Sequence, residues 1–162
     1  MIRVGIVTLS DKGSKGQRQD ASGPLIKEMM EAVDAKVVHY EVLPDERPEL
    51  EARLTALCQI CDLIFTTGGT GLSPRDITPE ATLAVIDREV PGIAEAMRLE
   101  GLKKTPRAML SRAVAGVRGS TLIVNLPGSP KGVRESLEAI ITALPHAVEK
   151  IKGSQSECAS NG

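Results

Sequence analysis

The chain has 162 residues, a length typical of one domain with its own hydrophobic core. Its net charge of -1, with one Tyr, one Phe and no Trp, argues against binding to nucleic acid or an anionic membrane. No segment resembles a secretory leader or is long enough to span a bilayer, and three cysteines form no paired framework, so we expect a soluble, cytoplasmic protein.

Segments with strand and helix patterns alternate through the first two thirds of the chain. In chain order they are a strand at 2–9, a helix opening at Gly23-Pro24, a strand at 36–43, a helix at 48–60, a strand at 62–67, and helices at 79–88 and 91–102. Such alternation predicts a mostly parallel sheet with helices on both faces.

The pattern changes in the last third. Two strand-like segments, 112–118 and 121–126, flank Gly119-Ser120, a loop suited to a hairpin. Ser129-Pro130 then begins the longest helical stripe, which reaches Ile151 and which Pro145 should kink or break. The predicted fold is therefore a three-layer α/β/α domain over 1–152 with an antiparallel edge hairpin, followed by a polar, disordered tail at 153–162.

The most informative run is 67–82, TGGTGLSPRDITPEAT, which follows a buried strand and ends at Thr78-Pro79, a predicted helix start with Thr78 as the N-cap. Its glycines allow backbone amides to approach a phosphate, Arg75 offers fixed positive charge, and Asp76 can bind a hard cation. The run lacks the Gly-Lys-Ser/Thr of a P-loop and the third glycine of a dinucleotide fingerprint. A tight strand-to-helix connection with a surface ion pair is the alternative interpretation.

Other polar residues also follow strands. Ser10-Asp11 follows the first strand, Pro44-Asp45 the second, and Pro127-Gly128-Ser129 the strand before the last helix. Ligands of parallel sheets bind beyond the carboxyl ends of the strands. We therefore predict that these loops and the glycine run form one site, although each residue alone could be a turn carboxylate or a helix cap.

The remaining polar candidates have weaker functional cases. Cys58 and Cys61 form a C-x-x-C pair, but they share a helical stripe with leucines, so both thiols are predicted to face the core. Cys158 lies in the tail, where we expect an exposed free thiol, and the isolated His39 and His146 are expected to be structural.

Several of these motifs together resemble the Mog/MoaB-type family of molybdenum-cofactor biosynthesis, which includes molybdopterin adenylyltransferases and the G domains of fusion proteins such as gephyrin. The resemblance extends from Arg3 to about Lys152. Its motifs are Leu9-Ser10-Asp11, Asp20-Ala21-Ser22-Gly23-Pro24, Val42-Leu43-Pro44-Asp45-Glu46, the glycine run, Met109-Leu110-Ser111-Arg112 and Asn125-Leu126-Pro127-Gly128-Ser129-Pro130.

The resemblance implies a reaction and roles for residues. It implies transfer of AMP from ATP to molybdopterin, with magnesium and release of pyrophosphate. Asp45 and Asp76 match the family aspartates tied to magnesium and catalysis. Candidate substrate contacts are Ser10, Asp11 and Asp20 on the nucleotide side, Gly68, Gly69, Thr70 and Gly71 as phosphate cradle, Arg75, Ser111, Arg112, Asn125, Pro127, Gly128 and Ser129.

The resemblance also implies a homotrimer and, in some systems, a partner protein that inserts molybdenum. Three alternatives stay open: a MoaB-like paralogue whose physiological role is undetermined, a non-catalytic molybdopterin-binding or scaffold module, and a generic nucleotide-binding domain. Retention of both aspartates favours the enzyme over the scaffold. Lys131 stands where some relatives carry a neutral residue, and its role is open.

Overall fold

The structure is a computed structural model that describes residues 1–154, and these contain a mixed six-stranded sheet. Its strands are β1 (Ile2–Leu9), β2 (Ala35–Leu43), β3 (Leu63–Thr67), β4 (Arg88–Glu89), β5 (Ala115–Arg118) and β6 (Thr121–Leu126). Their spatial order is β2-β1-β3-β6-β5-β4; β2, β1, β3 and β6 are parallel, β5 is antiparallel to β6, and β4 is antiparallel to β5. The predicted parallel sheet with an antiparallel edge is confirmed.

Helices cover both faces of this sheet. They are α1 (Asp11–Ser14), α2 (Ser22–Glu31), α3 (Arg47–Leu57), α4 (Thr78–Val85), α5 (Pro91–Leu102), a 3₁₀ helix (Pro106–Leu110), α6 (Pro130–Ile140) and α7 (Leu144–Ile151). One apolar core joins α2, α5, α6 and α7 to the sheet, and a second joins α3 and α4 to the opposite face. Alternate residues of β1 supply the two cores, since Ile6 belongs to the first and Val7 to the second.

Some predicted boundaries were wrong. The helix expected to reach Arg88 ends at Val85, because Asp87 and Val90 donate backbone hydrogen bonds to β5 and draw 88–89 into the sheet as β4. The hairpin strand expected from Arg112 begins at Ala115. The loop expected after β1 contains the short helix α1.

Pro145 breaks the last helix, as predicted. The chain leaves the helix after Ile140 and restarts at Leu144, with Pro145 in the first turn of α7. Most of the predicted tail, residues 155–162 with Cys158, lies outside the described residues. Within 1–154, no helix combines the length and apolarity needed to cross a membrane.

Both cysteines of the C-x-x-C pair pack against the α3/α4 core, which confirms the structural interpretation. Burial raises the pKa of the Cys58 thiol and raises that of Cys61 to about 11. Thiols with a raised pKa are poor nucleophiles at neutral pH.

The strand order places a topological switch at the centre of the sheet. From β1 the chain passes to β2 on one side and then to β3 on the other. Loops that leave β1 and β3 therefore diverge to opposite faces and leave a crevice beyond the strand ends.

Candidate functional site

A cleft of about 620 Å³ opens at this switch point. The loops that follow β1, β2, β3 and β6 supply its walls, as predicted from their positions after the strands. The predicted site residues that line it are Ser10, Asp11, Asp20, Asp45, Gly68, Gly69, Asp76, Gly128 and Ser129.

Asp11 and Asp45, which both line the cleft, are joined by two hydrogen bonds. The backbone N–H of Asp45 donates to Asp11 Oδ1 at 2.9 Å, and the N–H of Asp11 donates to Asp45 Oδ2 at 3.1 Å. The Arg75 guanidinium binds both Asp11 oxygens, at 3.0 and 2.8 Å, and also donates to Glu46 at 3.0 Å. This ring of contacts joins the loops after β1, β2 and β3.

The pKa values of the two carboxyl groups are shifted in opposite directions. Hydrogen bonding from Arg75, then from the Asp45 amide, lowers the pKa of Asp11. Burial, then the neighbouring Asp11 charge, raises the pKa of Asp45. Asp45 is therefore the carboxylate whose negative charge would gain most from a bound cation.

The glycine turn after β3 depends on backbone conformations that glycine adopts without strain. Gly68 has φ of 95° and Gly69 has φ of 70°. A Cβ on Gly68 would lie 2.6 Å from the carbonyl oxygen of Leu9, and one on Gly69 would overlap Thr78 Oγ1. The chain can therefore turn here only if both side chains are absent.

Thr78 is not the N-cap that the sequence predicted. It is the first residue of α4, and its hydroxyl donates to the Gly68 carbonyl at 2.9 Å while its N–H donates to Gly69 O at 3.1 Å. Thr78 thus closes the glycine turn onto the helix.

Asp76 closes a short turn in the same loop. Its N–H donates to Ser73 O at 2.9 Å, and its Oδ2 accepts from Ser73 N at 3.0 Å. The Asp76 charge also contributes to the raised pKa of Asp45, which places the two carboxylates within electrostatic reach. No cluster of three or more metal-ligating side chains occurs within 1–154.

A second cavity of about 340 Å³ lies beside the first. Helix α5, the 3₁₀ helix and α6 form its walls, with Ala94, Met97 and Leu110 as apolar lining. The predicted site residues that line it are Thr70, Gly71, Ser111, Pro127 and Ser129. Since Ser129 lines both cavities, they adjoin at the start of α6.

Three predicted contact residues line neither cavity. Arg75 is engaged by Asp11 and Glu46, as described above. Asn125 is fully buried, accepts from Val114 N at 3.2 Å and donates to Thr66 and Thr82 hydroxyls at 2.9 Å each. It ties β6 to β3 and α4 from within the core, and its predicted contact with substrate stays a prediction.

Arg112 is the third of these residues. Its guanidinium donates to the backbone oxygens of Gly71 and Asp76 and contacts Glu80. The side chain therefore points into the loop that it supports, and its predicted contact with substrate stays a prediction.

Asp20 lines the cleft, but its carboxylate is already occupied. It accepts from the amides of Ser22 and Gly23 at the start of α2, and from the hydroxyls of Thr8 and Tyr40 at 2.7 and 2.6 Å. Burial and the hydrogen bond to Asp20 raise the pKa of the Tyr40 hydroxyl. Asp20 thus caps α2 against the wall of the cleft.

Both predicted serines at loop starts are helix caps. Ser10 Oγ accepts from Gly13 N at 2.9 Å, and Ser129 Oγ accepts from Gly132 N at 3.1 Å. Capping does not remove them from the cleft, since both line it.

Several lining cations were not predicted. Lys12 and Arg18 line the cleft, and neither has an ion-pair partner within residues 1–154. Arg98 and Arg107 line the second cavity. The only available signal for Lys12 and Arg18 was their position in the loop after a central strand.

Comparisons with known proteins show which family the chain resembles. Residues 5–146 match the family described as "Probable molybdopterin binding domain". A protein of Helicobacter pylori (strain J99) named molybdopterin adenylyltransferase is 46% identical over 94% of this chain and 89% of its own length. Gephyrin of Dictyostelium discoideum is 44% identical over 90% of this chain, which corresponds to 22% of that protein.

Solved structures give the same result. The molybdopterin biosynthesis enzyme MoaB of Thermus thermophilus superposes with a TM-score of 0.90 at 57% identity, covering 95% of this chain and 98% of that one. A family match over most of the chain and a shared fold at this identity leave one assignment: the chain belongs to the Mog/MoaB-type molybdopterin-binding family of molybdenum-cofactor biosynthesis.

Proposed function

We propose that this protein is a molybdopterin adenylyltransferase, which transfers AMP from ATP to the terminal phosphate of molybdopterin and releases pyrophosphate. The observation that supports this best is the convergence of two carboxylates, Asp45 and Asp76, on the Gly68–Gly69 turn in one cleft. Relatives that bear this enzyme's name at 46% and 38% identity over nearly the whole chain support the same function.

The reaction needs a phosphate nucleophile and a leaving pyrophosphate. A phosphate monoester has its second pKa near 6, so at pH 7 its oxygen can attack the α-phosphorus without a protein base. The new phosphorus–oxygen bond forms as the bond to pyrophosphate breaks, and the electron pair leaves on the pyrophosphate oxygen. The lining fits this chemistry, because neither His39 nor His146 borders either cavity.

Magnesium fits the donor set of the cleft. Mg²⁺ is usually held by one or two carboxylates together with substrate phosphates, which matches Asp45 and Asp76 in a place where the described residues provide no third ligating side chain. Bound there, magnesium would supply charge neutralisation for the phosphates. The raised pKa of Asp45 means that a cation beside this carboxylate would stabilise its charged form.

The protein's own groups supply binding and orientation. The polar cleft suits the phosphates, since Lys12 and Arg18 offer positive charge and the absence of side chains at Gly68 and Gly69 lets a phosphate approach the turn closely. The more apolar second cavity, with Met97 and Leu110, suits a ring system of one of the substrates. We expect the reacting groups to meet near Ser129, where the two cavities adjoin.

Further parts of this proposal concern the protein's setting. We place it in the cytoplasm as a homotrimer that works with molybdopterin, ATP and magnesium and that passes its product to a molybdenum-insertion partner. Two alternatives stay open: a MoaB-like paralogue whose physiological role is undetermined, in view of the similarity to MoaB of Thermus thermophilus, and a non-catalytic molybdopterin-binding or scaffold module, in view of the similarity to gephyrin.

The deciding experiment is incubation with molybdopterin, ATP and magnesium, followed by chromatographic detection of adenylylated molybdopterin. We expect product from the wild type, almost none from Asp45→Asn or Asp76→Asn, and wild-type rates from the exposed control Glu138→Gln. Chelation by EDTA should stop turnover while molybdopterin still binds. Molybdopterin binding without any product would favour the scaffold, and full activity in either aspartate variant would remove that residue from catalysis.

A further inference from the structure

Arg112 donates hydrogen bonds to the loop between the glycine turn and α4. Its backbone N–H donates to Thr70 O at 2.9 Å. Its Nε donates to Gly71 O at 2.7 Å, and its Nη2 donates to Asp76 O at 2.8 Å. One side chain therefore holds both ends of segment 71–76.

Glu80, in the first turn of α4, holds the guanidinium in place. Its Oε1 binds Arg112 Nη1, and this contact lowers the pKa of the Glu80 carboxyl. The second oxygen, Oε2, is buried without a hydrogen-bond partner among the described residues, so the carboxylate depends on Arg112 for compensation.

The contacts of Arg112 reach three separate groups from one planar fork. A lysine at this position would carry the same charge on a single nitrogen and could not donate to Gly71, Asp76 and Glu80 in the same geometry. Any role that depends on charge alone would survive Arg112→Lys, whereas this one would not.

Asp76 is the residue whose position these contacts affect. Its carboxylate is oriented by Ser73 within the segment, and its carbonyl is held by Arg112. We infer that Arg112, held by Glu80, is a positioning residue that fixes segment 71–76 and thereby the Asp76 carboxylate, and that it does not contact substrate. The catalytic consequence rests on the proposed function; the structural one does not.

The first test does not depend on activity. Hydrogen exchange is measured at the amides of Ser73 and Asp76 in the wild type, Arg112→Met, Arg112→Lys and Glu80→Gln. The matched control is Arg118→Met, since Arg118 also donates to a backbone oxygen, Val85 O at 2.7 Å, but at the hairpin. Hydrogen bonds to charged groups contribute enough that their loss should speed exchange about tenfold or more.

We expect faster exchange at these amides in both Arg112 variants, a smaller increase in Glu80→Gln, and none in Arg118→Met. Unchanged exchange in the Arg112 variants would overturn the inference. Arg112→Lys and Glu80→Gln keep charge or shape, so they remain informative if Arg112→Met does not fold.

The second test uses turnover. We expect Arg112→Lys to lower kcat at least about tenfold and to raise the magnesium concentration for half-maximal rate, with KM for molybdopterin and ATP changed less than about threefold. The opposite split, a raised KM with kcat retained, would identify Arg112 as a substrate contact and overturn the inference. Absence of product in the wild type would refute the proposed function alone, and hydrogen exchange would still decide the role of Arg112.

Discussion

Replacing Gly69 by alanine tests whether the turn requires a residue without a side chain and whether it contributes to ligand binding. Gly69 has φ of 70°, and an added Cβ would overlap Thr78 Oγ1 and lie 3.3 Å from Asp45 Oδ1. The first overlap disrupts the hydrogen bond from Thr78 to Gly68, and the second presses on a proposed magnesium ligand. The substitution should therefore reduce both stability and ligand binding.

The magnitude follows from two contributions. A left-handed conformation costs a residue with Cβ roughly 1–2 kcal/mol. Loss of one intramolecular hydrogen bond costs about 0.5–1.5 kcal/mol. Together they predict a loss of about 1.5–3.5 kcal/mol in the free energy of unfolding, which lowers the urea midpoint by roughly 0.8–1.8 M if the m-value is about 2 kcal/mol/M.

Gly92→Ala is the matched control. Gly92 lies in α5, has no positive φ, and an added Cβ meets nothing within 4 Å. Because alanine favours a helix by up to about 1 kcal/mol over glycine, this variant should be as stable as the wild type or more so. Urea unfolding and calorimetric titration with ATP are the measurements, and equal midpoints and affinities for the two variants would refute the argument.

Three further predictions concern buried polar groups and pH. Asn125→Ala should lower the free energy of unfolding by about 2–4 kcal/mol in urea, because two hydroxyls and an amide lose a buried partner; a loss near zero would contradict the assigned role. Hydrogen bonding from Arg3, with help from Lys152, lowers the pKa of the buried Asp62 carboxyl. The ionised carboxylate therefore contributes fully to the free energy of unfolding above the unfolded pKa of about 3.9, and this contribution is lost as pH falls below that value. The wild type should thus have a higher free energy of unfolding than Asp62→Asn at pH 7, and this difference should be smaller at pH 3. The rate of adenylyl transfer should be flat above pH 7, and a protein pKa between about 7 and 9 in the chemical step would contradict a mechanism without a protein base.

Much of the fold was predictable because its signals are local. The alternation of buried strands with amphipathic helices requires a layered sheet, and Gly119-Ser120 between two apolar segments requires a tight turn. The boundary of α4 was not predictable in this way, since β4 exists only through pairing of 88–89 with β5. A strand of two residues has no periodicity that a sequence could reveal.

The site was predictable at the level of loops and not of side-chain partners. Position after a strand was enough to bring Asp11, Asp45 and Asp76 into one cleft. Whether a polar residue faces the cleft or the protein depends on contacts distant in sequence. Asn125 meets Thr66 and Arg112 meets Gly71, and neither pairing leaves a trace in local sequence.

The polar residues of the site separate into two groups by what their atoms already bind. Asp20, Asn125 and Arg112 are occupied by backbone amides, hydroxyls or carbonyls, so they fix the walls. Lys12 and Arg18 have no ion-pair partner among residues 1–154. The pKa of Asp45 is raised, and a cation bound nearby would lower it. The groups held by the protein support the cleft, and the uncompensated groups are the ones through which we propose that it binds phosphates and a cation. An enzyme that relies on positioning and charge neutralisation needs both, because fixed dipoles and charges stabilise developing charge without reorganising during the reaction.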